Sequence, residues 1–284
     1  MRVIFILSTN YAGSHLLTQL LGAHPRARSV GELHNYRKFI ERPDSRHSVV
    51  YDFAENSWFA GLGDLPPERW HATVGARVMT ELPGVDTLVD NSKRVEWARR
   101  FVANTDFEAH FVHLIRDPRA LVRRWGLTYD DTRKQRRQRI RVIRSRPHWM
   151  LPALFNDQED VYCRKWLISN QRISHFLADC GQSANVVTYH DLARHTSSVL
   201  GGLMPRLGLA FDPLQLNFGE VAHHGTMKRE YLEQSRRSEI KLDLRWQQEM
   251  TSDAIRRVSE HAGIVRYLAA HNVRMIDDGL TCLD

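Results

Sequence analysis

The chain opens with an apolar run that stops at a polar, glycine-containing loop and is followed by a second apolar run. Residues 3–17 read VIFILSTNYAGSHLL. A continuous apolar run such as residues 3–7 is typical of a parallel strand buried on both faces. In residues 13–23 the leucines recur at helical spacing, and His24-Pro25 ends that helix. The segment predicts a strand, a tight loop and a helix, an arrangement that can hold phosphate at a helix N-terminus.

The same alternation recurs along the chain. Three more short apolar runs are each followed by a polar turn and a helical segment. They are residues 87–90 (TLVD), 110–115 (HFVHLI) and 185–189 (NVVTY). Strands that alternate with helices favour an α/β fold with a central parallel sheet flanked by helices. Ligands bind such sheets beyond the carboxyl ends of the strands. We therefore expect the loops that follow these four strands to converge on one site.

Other segments have weaker patterns. Residues 71–78 (HATVGARV) are a candidate further strand, residues 157–178 have helical spacing, and residues 229–261 look helical and highly charged. No internal repeat or low-complexity linker divides the chain. We expect one domain over residues 1–284, with insertions at about 35–72 and 126–158.

Composition narrows the class of protein. The 284 residues are 42% hydrophobic, and the net charge is +7, which suits a polyanionic ligand, nucleic acid or an anionic membrane. Cys163, Cys180 and Cys282 are widely spaced and odd in number, so they predict neither a disulfide framework nor a metal site.

No run of the sequence approaches the ~18 apolar residues that would span a bilayer. MRVIFIL is interpreted as a first strand and not as a signal peptide, so we expect a soluble, cytoplasmic protein.

The first loop differs from a nucleotide-hydrolysing loop. Gly13 lets the backbone approach a phosphate closely, and Ser14 can add a hydroxyl donor. A Walker A loop has the pattern G-x-x-x-x-G-K-[ST], whereas here Ser14 follows Gly13 directly and no glycine stands five residues earlier. This difference disfavours ATP chemistry. A P-loop kinase and a plain turn without a ligand both stay open from this loop alone.

Five segments in order resemble sulfotransferases that use 3′-phosphoadenosine-5′-phosphosulfate (PAPS). Residues 12–34 (AGSHLLTQLLGAHPRARSVGELH) resemble the family's phosphosulfate loop, which in bacterial members is similar to R-S-G-S-T-L-L followed by L-G-x-H-P and G-E-L. Residues 88–94 (LVDNSKR) resemble L-V-D-S-S-K-R, and residues 113–125 (HLIRDPRALVRRW) resemble a strand ending in R-D-P-R-A. Residues 186–192 (VVTYHDL) and 223–230 (HHGTMKRE) resemble V-x-Y-E-D-L and the late H-x-x-x-G-N-x-M-R segment.

This resemblance implies a three-layer P-loop-like α/β fold of the bacterial sulfotransferase type. It also implies transfer of a sulfuryl group from PAPS to an acceptor hydroxyl, leaving 3′,5′-diphosphoadenosine, with no metal. In the family an Arg or Lys of the loop serves the leaving group, and here that position is Tyr11. A phenol brings no charge at neutral pH, so we expect Lys93 to supply the missing cation. Glu32 is the candidate general base, and His34, two residues further on, is the alternative.

The resemblance also implies how the cofactor is held. Arg116 would bind the 3′-phosphate, because arginine matches phosphate oxygens in a bidentate fork. Arg124 stands where the family has a serine ligand, so it either binds this phosphate or faces solvent. The 5′-phosphosulfate would contact the loop after the first strand, namely Asn10, Tyr11, Ala12, Gly13, Ser14 and His15. Further contacts to the 3′-phosphate would come from the segment near residue 225, namely Gly225, Lys228 and Arg229.

A basic stretch, residues 133–146, has eight Lys or Arg in fourteen residues. It suits an acidic acceptor, an anionic membrane surface or nucleic acid. Its lack of aromatic residues before Trp149 disfavours single-strand binding. We favour a gate for a small-molecule or glycan acceptor, whose hydroxyl would be sulfated. A nucleic-acid-binding module is the alternative from another class. The sequence predicts neither the acceptor's identity nor the oligomeric state.

Overall fold

The computed structural model of the protein describes residues 1–41, 49–50, 56–181, 185–223, 227–228 and 238–283. The strands in these ranges are β1 Arg2–Ser8, β2 Ala27–Gly31, β3 Val49–Val50, β4 Thr87–Lys93, β5 Glu108–Ile115, β6 Asn185–Thr188, β7 Met227–Lys228, β8 Val273–Ile276 and β9 Gly279–Cys282. The α-helices are α1 Ser14–Gly22, α2 Tyr36–Glu41, α3 Trp70–Glu81, α4 Val95–Ala98, α5 Pro118–Thr128, α6 Thr132–Ser145, α7 Met150–Phe155, α8 Gln158–Asp179, α9 Tyr189–Arg194, α10 Thr196–Arg206, α11 Arg245–Glu249, α12 Ser252–Ser259 and α13 Ala262–Ala269. Single 3₁₀ turns, such as Leu33–Asn35, connect several of them.

A five-stranded parallel sheet forms the centre, in the order β2-β4-β1-β5-β6. Two small antiparallel pairs, β3 with β7 and β8 with β9, lie outside it. The chain crosses from one side of β1 to the other between β4 and β5. Such a reversal of strand order leaves a crevice at the carboxyl ends of the strands. The central strand β1 therefore ends at the place where a ligand site is expected.

Strand β1 is buried on both faces. Val3, Phe5 and Leu7 pack into one hydrophobic core, where they meet side chains of α3 and α8. Ile4 and Ile6 pack into the opposite core, against α1 and α10. This arrangement gives three layers, helices on both faces of a parallel sheet, and it confirms the predicted P-loop-like α/β fold.

The register of β4 changes where the strand ends. Phe5 of β1 pairs with Asp90, but Leu7 pairs with Lys93, so two residues of β4 lie opposite a single residue of β1. This irregularity is a β-bulge, which re-aims side chains at the end of a strand. Lys93 itself has a φ of 64°, a left-handed conformation that is rare for a residue other than glycine.

The strands predicted from residues 3–7, 87–90, 110–115 and 185–189 are confirmed as β1, β4, β5 and β6. The candidate strand at residues 71–78 is wrong, because this segment lies within α3. Its core-facing residues, such as Val74 and Val78, repeat every fourth position. Strand β2 is missing from the sequence prediction. It is a short edge strand with the sequence ARSVG, which has no long apolar run.

The helix predicted over residues 157–178 is confirmed as α8, and the basic stretch forms most of α6. Residues 229–261 are only partly helical in the described range: α11 and α12 are helices, whereas residues 239–244 are not. Within the residues that the structure describes, no helix is long and apolar enough to cross a membrane.

Candidate active site

The loop after β1 turns sharply into α1. Tyr11 and Gly13 both have left-handed backbones, with φ of 71° and 94°. Gly13 is the N-cap of α1, and no side chain caps the helix there. The first N–H groups of a helix have no partner within the helix, and its dipole favours negative charge. The strand, tight loop and helix predicted from the opening of the sequence are therefore confirmed, and anion binding at the start of α1 stays a prediction.

Both the backbone conformation at position 13 and the close approach of another side chain require glycine there. A Cβ atom added at this position would lie 2.3 Å from Cδ2 of Tyr189. Tyr189 follows β6 directly, so its ring reaches the phosphate loop from a strand at the opposite edge of the sheet. The loop after β1 and the segment after β6, two of the four loops expected to converge, are thus in contact.

The ammonium group of Lys93 donates a short hydrogen bond to Oε1 of Glu32. Lys93 ends β4 and Glu32 follows β2, which are neighbouring strands. Oε2 of Glu32 accepts a hydrogen bond from Nδ2 of Asn35 at 2.8 Å. Nε2 of His15, in the first turn of α1, lies 3.9 Å from Oε1 of Glu32. The structure therefore brings the two residues predicted to be catalytic into direct contact, beside the phosphate loop.

The charge state of Glu32 follows from these neighbours. Burial is the largest single influence and raises the pKa of its carboxyl group, whereas the charge and the hydrogen bond of Lys93 lower it. The nearby His15 and His34 act in the same direction, and the pKa falls below its ordinary value of 4.5. Glu32 is consequently a carboxylate at neutral pH and can accept a proton.

His34, the alternative base, is in a different state. Its backbone N–H donates to Oγ of Ser92 at 3.2 Å, and its ring lies 6.4 Å from that of Trp97. Burial is the largest cause that lowers the pKa of His34, to about 4, and Arg94 adds to the decrease. Among the described residues neither ring nitrogen of His34 has a hydrogen-bond partner. The imidazole is therefore neutral at physiological pH, and its role as a base stays a prediction.

The conformation of the β4 end depends on Asp90, which the sequence analysis gave no role. Its carboxylate is fully buried and accepts hydrogen bonds from Nε2 of His71 and Nε1 of Trp97, both at 2.8 Å. It also accepts one from the backbone N–H of Ser92 at 2.6 Å, within the bulge. Asp90 thus fixes the turn that presents Lys93. The residue was visible in LVDNSKR, but only the fold shows what its carboxylate contacts.

Arg116 follows β5 and reaches the phosphate loop. Its Nη1 donates to the carbonyl oxygen of Tyr11 at 2.8 Å, and its guanidinium lies 4.4 Å from the centre of the Tyr189 ring. Its Nε is buried and has no hydrogen-bond partner among the described residues. A buried N–H without a partner is costly, so this side chain is prepared for a further acceptor. The loop after β5 is therefore also in contact with the loop after β1.

A residue that sequence reasoning missed lies against Arg116. Asp243 accepts a hydrogen bond from Nη2 of Arg116 at 2.9 Å and three from Arg245, two from its guanidinium and one from its backbone N–H. The Arg245 hydrogen bond and the Arg116 charge hold the pKa of Asp243 well below its usual range. Arg116 and Asp243 are 127 residues apart, and no motif links them. The carboxylate therefore occupies the Nη2 donor of Arg116.

Arg124 lies beside the phosphate loop, with its guanidinium 4.8 Å from the centre of the Tyr11 ring. The contact is a cation–π interaction, so the neutral Tyr11 is adjacent to a positive charge from α5. Arg124 is partly buried, which disagrees with a side chain that only faces solvent. Whether it binds phosphate stays a prediction.

Three predicted cofactor contacts lie in the late segment. Gly225 and Arg229 are outside the described residues. Lys228 lies in β7, where it pairs with Val49, and the position of its side chain is not described.

Of the predicted cofactor contacts in the loop after β1, Ala12 and Ser14 are buried and Asn10 is exposed. Trp166 is fully buried and donates to the carbonyl oxygen of Arg116 at 2.9 Å, so it supports the site from within the core.

In the part of the chain that the structure describes, no three His, Cys, Asp or Glu side chains are grouped so that they could hold a metal ion. The charged groups that face the phosphate loop are those of side chains, namely Glu32, Lys93, Arg116, Arg124 and Asp243. The site thus combines three cationic side chains with two carboxylates.

Comparison with solved structures identifies the fold. A sulfotransferase domain from the curacin biosynthetic pathway matches with a TM-score of 0.51 and 18% identity, covering 91% of this chain and 96% of that chain. A sulfotransferase domain from the Synechococcus PCC 7002 olefin synthase matches with a TM-score of 0.49 and 20% identity, over 92% and 94% of the two chains. Sulfotransferase STF9 from Mycobacterium avium matches with a TM-score of 0.48 and 12% identity, over 96% and 78%.

The first of these likenesses shows that the chain has the fold of a sulfotransferase domain. The fold implied by the sequence motifs is thereby confirmed. No protein-family model matches the sequence, and no curated protein matches it.

Proposed function

We propose that this protein is a sulfotransferase that moves a sulfuryl group from PAPS to an acceptor hydroxyl. The observation that carries the proposal is the contact between Lys93 and Glu32 beside an uncapped helix N-terminus. This arrangement joins a proton acceptor and a cation with a helix N-terminus that no side chain caps. The sulfotransferase fold supports the same conclusion.

The residues present fit the proposed donor. The N–H groups at the start of α1 would hold the 5′-phosphosulfate, and Arg116 would hold the 3′-phosphate with its unpartnered Nε. Tyr189, which packs on Gly13 and on the Arg116 guanidinium, keeps these two anion-binding groups together. When bound, PAPS would supply the activated sulfuryl group, and its phosphate would leave with the bridging oxygen.

Glu32 is the proposed general base. Its low pKa keeps the carboxylate ionised, and an acceptor hydroxyl at Glu32 would lose its proton to this group as its oxygen forms a bond to sulfur. Asn35 holds Oε2 at 2.8 Å and so fixes the orientation of the carboxylate. The proton moves to Glu32, and the electron pair of the cleaved S–O bond moves to the bridging oxygen.

Lys93 is the proposed source of the positive charge that Tyr11 does not supply. Its ammonium group stabilises negative charge that develops on the leaving oxygen, because preorganised cations act strongly in a partly buried site. The left-handed backbone at Lys93 and the Asp90 network hold the side chain at the end of β4.

We propose a small molecule or a glycan as the acceptor, in line with the resemblance. Residues 35–72 and 126–158 stay the proposed walls of the acceptor pocket. The first range includes Glu32's neighbours on the chain, and the second contains α6 and α7. An acidic acceptor would suit the basic α6.

Calorimetry with three nucleotides tests the proposal. We expect 3′,5′-diphosphoadenosine to bind at least about tenfold more tightly than AMP or ATP, because Arg116 would contact its 3′-phosphate. Tighter binding of ATP would instead indicate the kinase. If none of the three nucleotides binds while DNA or RNA binds with steep salt dependence, the chain is a nucleic-acid-binding module. A screen of acceptors with labelled PAPS would then identify the substrate.

A further inference from the structure

The positive charge of this protein is concentrated in one short segment. Residues 132–156 contain eight Lys or Arg and no Asp or Glu, which leaves 32 basic and 33 acidic residues in the rest of the chain. The net charge of +7 therefore comes from this segment alone. The segment comprises α6 and α7, which we call the basic hairpin.

Five of the seven arginines of the basic hairpin point outward. Gln138 and Val142 form the buried face of α6, whereas five arginines on its other faces are exposed, namely Arg133, Arg136, Arg137, Arg141 and Arg144. Within the described part of the chain none of these five arginines forms an ion pair. Most other exposed arginines with a described position, such as Arg69 and Arg256, do have an acidic partner. The hairpin thus presents cations that the protein itself does not neutralise.

The second helix of the basic hairpin exposes apolar side chains. Met150, Leu151, Leu154 and Phe155 are between 49% and 81% exposed, and Phe155 is the most exposed of them. They repeat at positions i, i+1, i+4 and i+5, so they form one outward stripe. Ala153 and Trp149 anchor the helix on the other side, in a cluster with Val142. Contiguous exposed apolar groups of this kind mark an interaction surface.

The charged and apolar features belong to one rigid unit. Nη1 of Arg139 donates to the carbonyl oxygens of Ala153 at 2.7 Å and Asn156 at 3.0 Å. This contact ties α6 to the end of α7. The exposed arginines and the apolar stripe therefore keep fixed positions relative to each other.

We propose that the basic hairpin binds the surface of an anionic membrane, with Leu151, Leu154 and Phe155 inserted among the lipids. Arginines bind the headgroup phosphates, and apolar side chains that project from a short helix enter the boundary between headgroups and acyl chains. Nucleic acid suits the charges but not the apolar stripe, and Trp149 is packed in the protein instead of being free to stack on bases. A second copy placed on this surface would bring arginines against arginines. An acidic protein remains as an outcome of the test.

Vesicle sedimentation tests the proposal on the full chain. We expect binding to vesicles of phosphatidylcholine with 30% phosphatidylglycerol, weak binding to phosphatidylcholine alone, and a loss of affinity as salt is raised. The variant Arg136→Gln/Arg137→Gln/Arg141→Gln should bind about 100-fold more weakly, since each cation near such a surface contributes about a fivefold factor. Phe155→Asp should weaken binding by at least about tenfold.

Matched variants separate the hairpin from general charge and from misfolding. Arg69→Gln/Arg172→Gln/Arg256→Gln removes the same net charge from exposed sites elsewhere, and Leu214→Asp adds a charge at another exposed apolar side chain. Both should bind vesicles like the wild type, and thermal unfolding should show that all four proteins are folded. The proposal is overturned if the wild type does not sediment or if the two triple variants bind equally. It is also overturned if Phe155→Asp has no effect while polyglutamate competes fully, which would indicate an acidic protein partner.

Discussion

Lys93 and Glu32 form an ion pair across the ends of two neighbouring strands, although 61 residues separate them in the chain. The charge and the hydrogen bond of the lysine lower the pKa of the glutamate, although burial acts in the opposite direction. The pair lies beside the turn between β1 and α1. A carboxylate and a cation are therefore positioned together at this edge of the sheet.

Replacing Lys93 by alanine should reduce turnover more than replacing Tyr11 by phenylalanine. Lys93→Ala removes the proposed cation and should lower kcat by about 100-fold or more. Tyr11→Phe removes only a phenol hydroxyl and should cost less than about tenfold. Initial rates with labelled PAPS at saturating acceptor measure both. The reverse order would show that the cation of the site is not Lys93.

Glu32→Gln should lower kcat by about 100-fold to 10,000-fold, the usual contribution of a general base. The affinity for 3′,5′-diphosphoadenosine should change little, because Glu32 is not a proposed cofactor contact. Full turnover in this variant would exclude Glu32 as the base. His34→Gln is the matched control, since it tests the alternative base two residues away.

The pH dependence of turnover should reflect the Lys93–Glu32 pair. Glu32 must be ionised to act, and its pKa is lowered below 4.5. Turnover should therefore stay high as pH decreases to 4.5 and fall only as pH passes through the lower pKa. In Lys93→Ala the carboxyl loses its main opposing charge while it stays buried, so the acid limb of the residual activity should move to higher pH. An acid limb that does not move would contradict the coupling.

Arg116 and Asp243 should affect cofactor affinity in opposite directions. Arg116→Ala should raise the Kd of 3′,5′-diphosphoadenosine by about 100-fold, because a charge-assisted contact is lost. Asp243→Asn should lower this Kd, because the carboxylate no longer competes with the 3′-phosphate for Nη2 of Arg116. Calorimetry measures both, with Asp253→Asn as an exposed control. Weaker binding in Asp243→Asn would show that Asp243 orients the arginine instead of competing with the ligand.

Asp90→Asn should destabilise the fold by about 3 kcal/mol at pH 7, because the buried carboxylate accepts hydrogen bonds from His71, Trp97 and Ser92. These partners outweigh burial and lower the pKa of Asp90 below 3.8. A lowered pKa stabilises the folded state above the unfolded pKa, and this contribution is lost as pH falls through the folded value. The difference between wild type and variant in urea unfolding should therefore shrink as pH falls below 3.8. A constant difference would show that the charge of Asp90 is not involved.

The local segments of the sequence were sufficient for much of the fold. The run of residues 3–7 and its alternation with later helices predicted four of the five sheet strands, since burial on both faces leaves a recognisable apolar pattern. The prediction failed for β2, an edge strand with an arginine and no long apolar run. It also failed for α3, where valines at helical spacing resembled a strand.

The sequence by itself determined the strand–loop–helix turn with Gly13 at the start of its helix, and the positions of Lys93 and Arg116 directly after predicted strands. Each of these depends on residues that are close in the chain. The tertiary structure decided which side chains meet: the Lys93–Glu32 pair, the Asp243 carboxylate on Arg116, and the Tyr189 ring on Gly13. Such contacts depend on strand order and on a bulge in β4, and no local pattern encodes the distance between residues that are 61 or 127 positions apart.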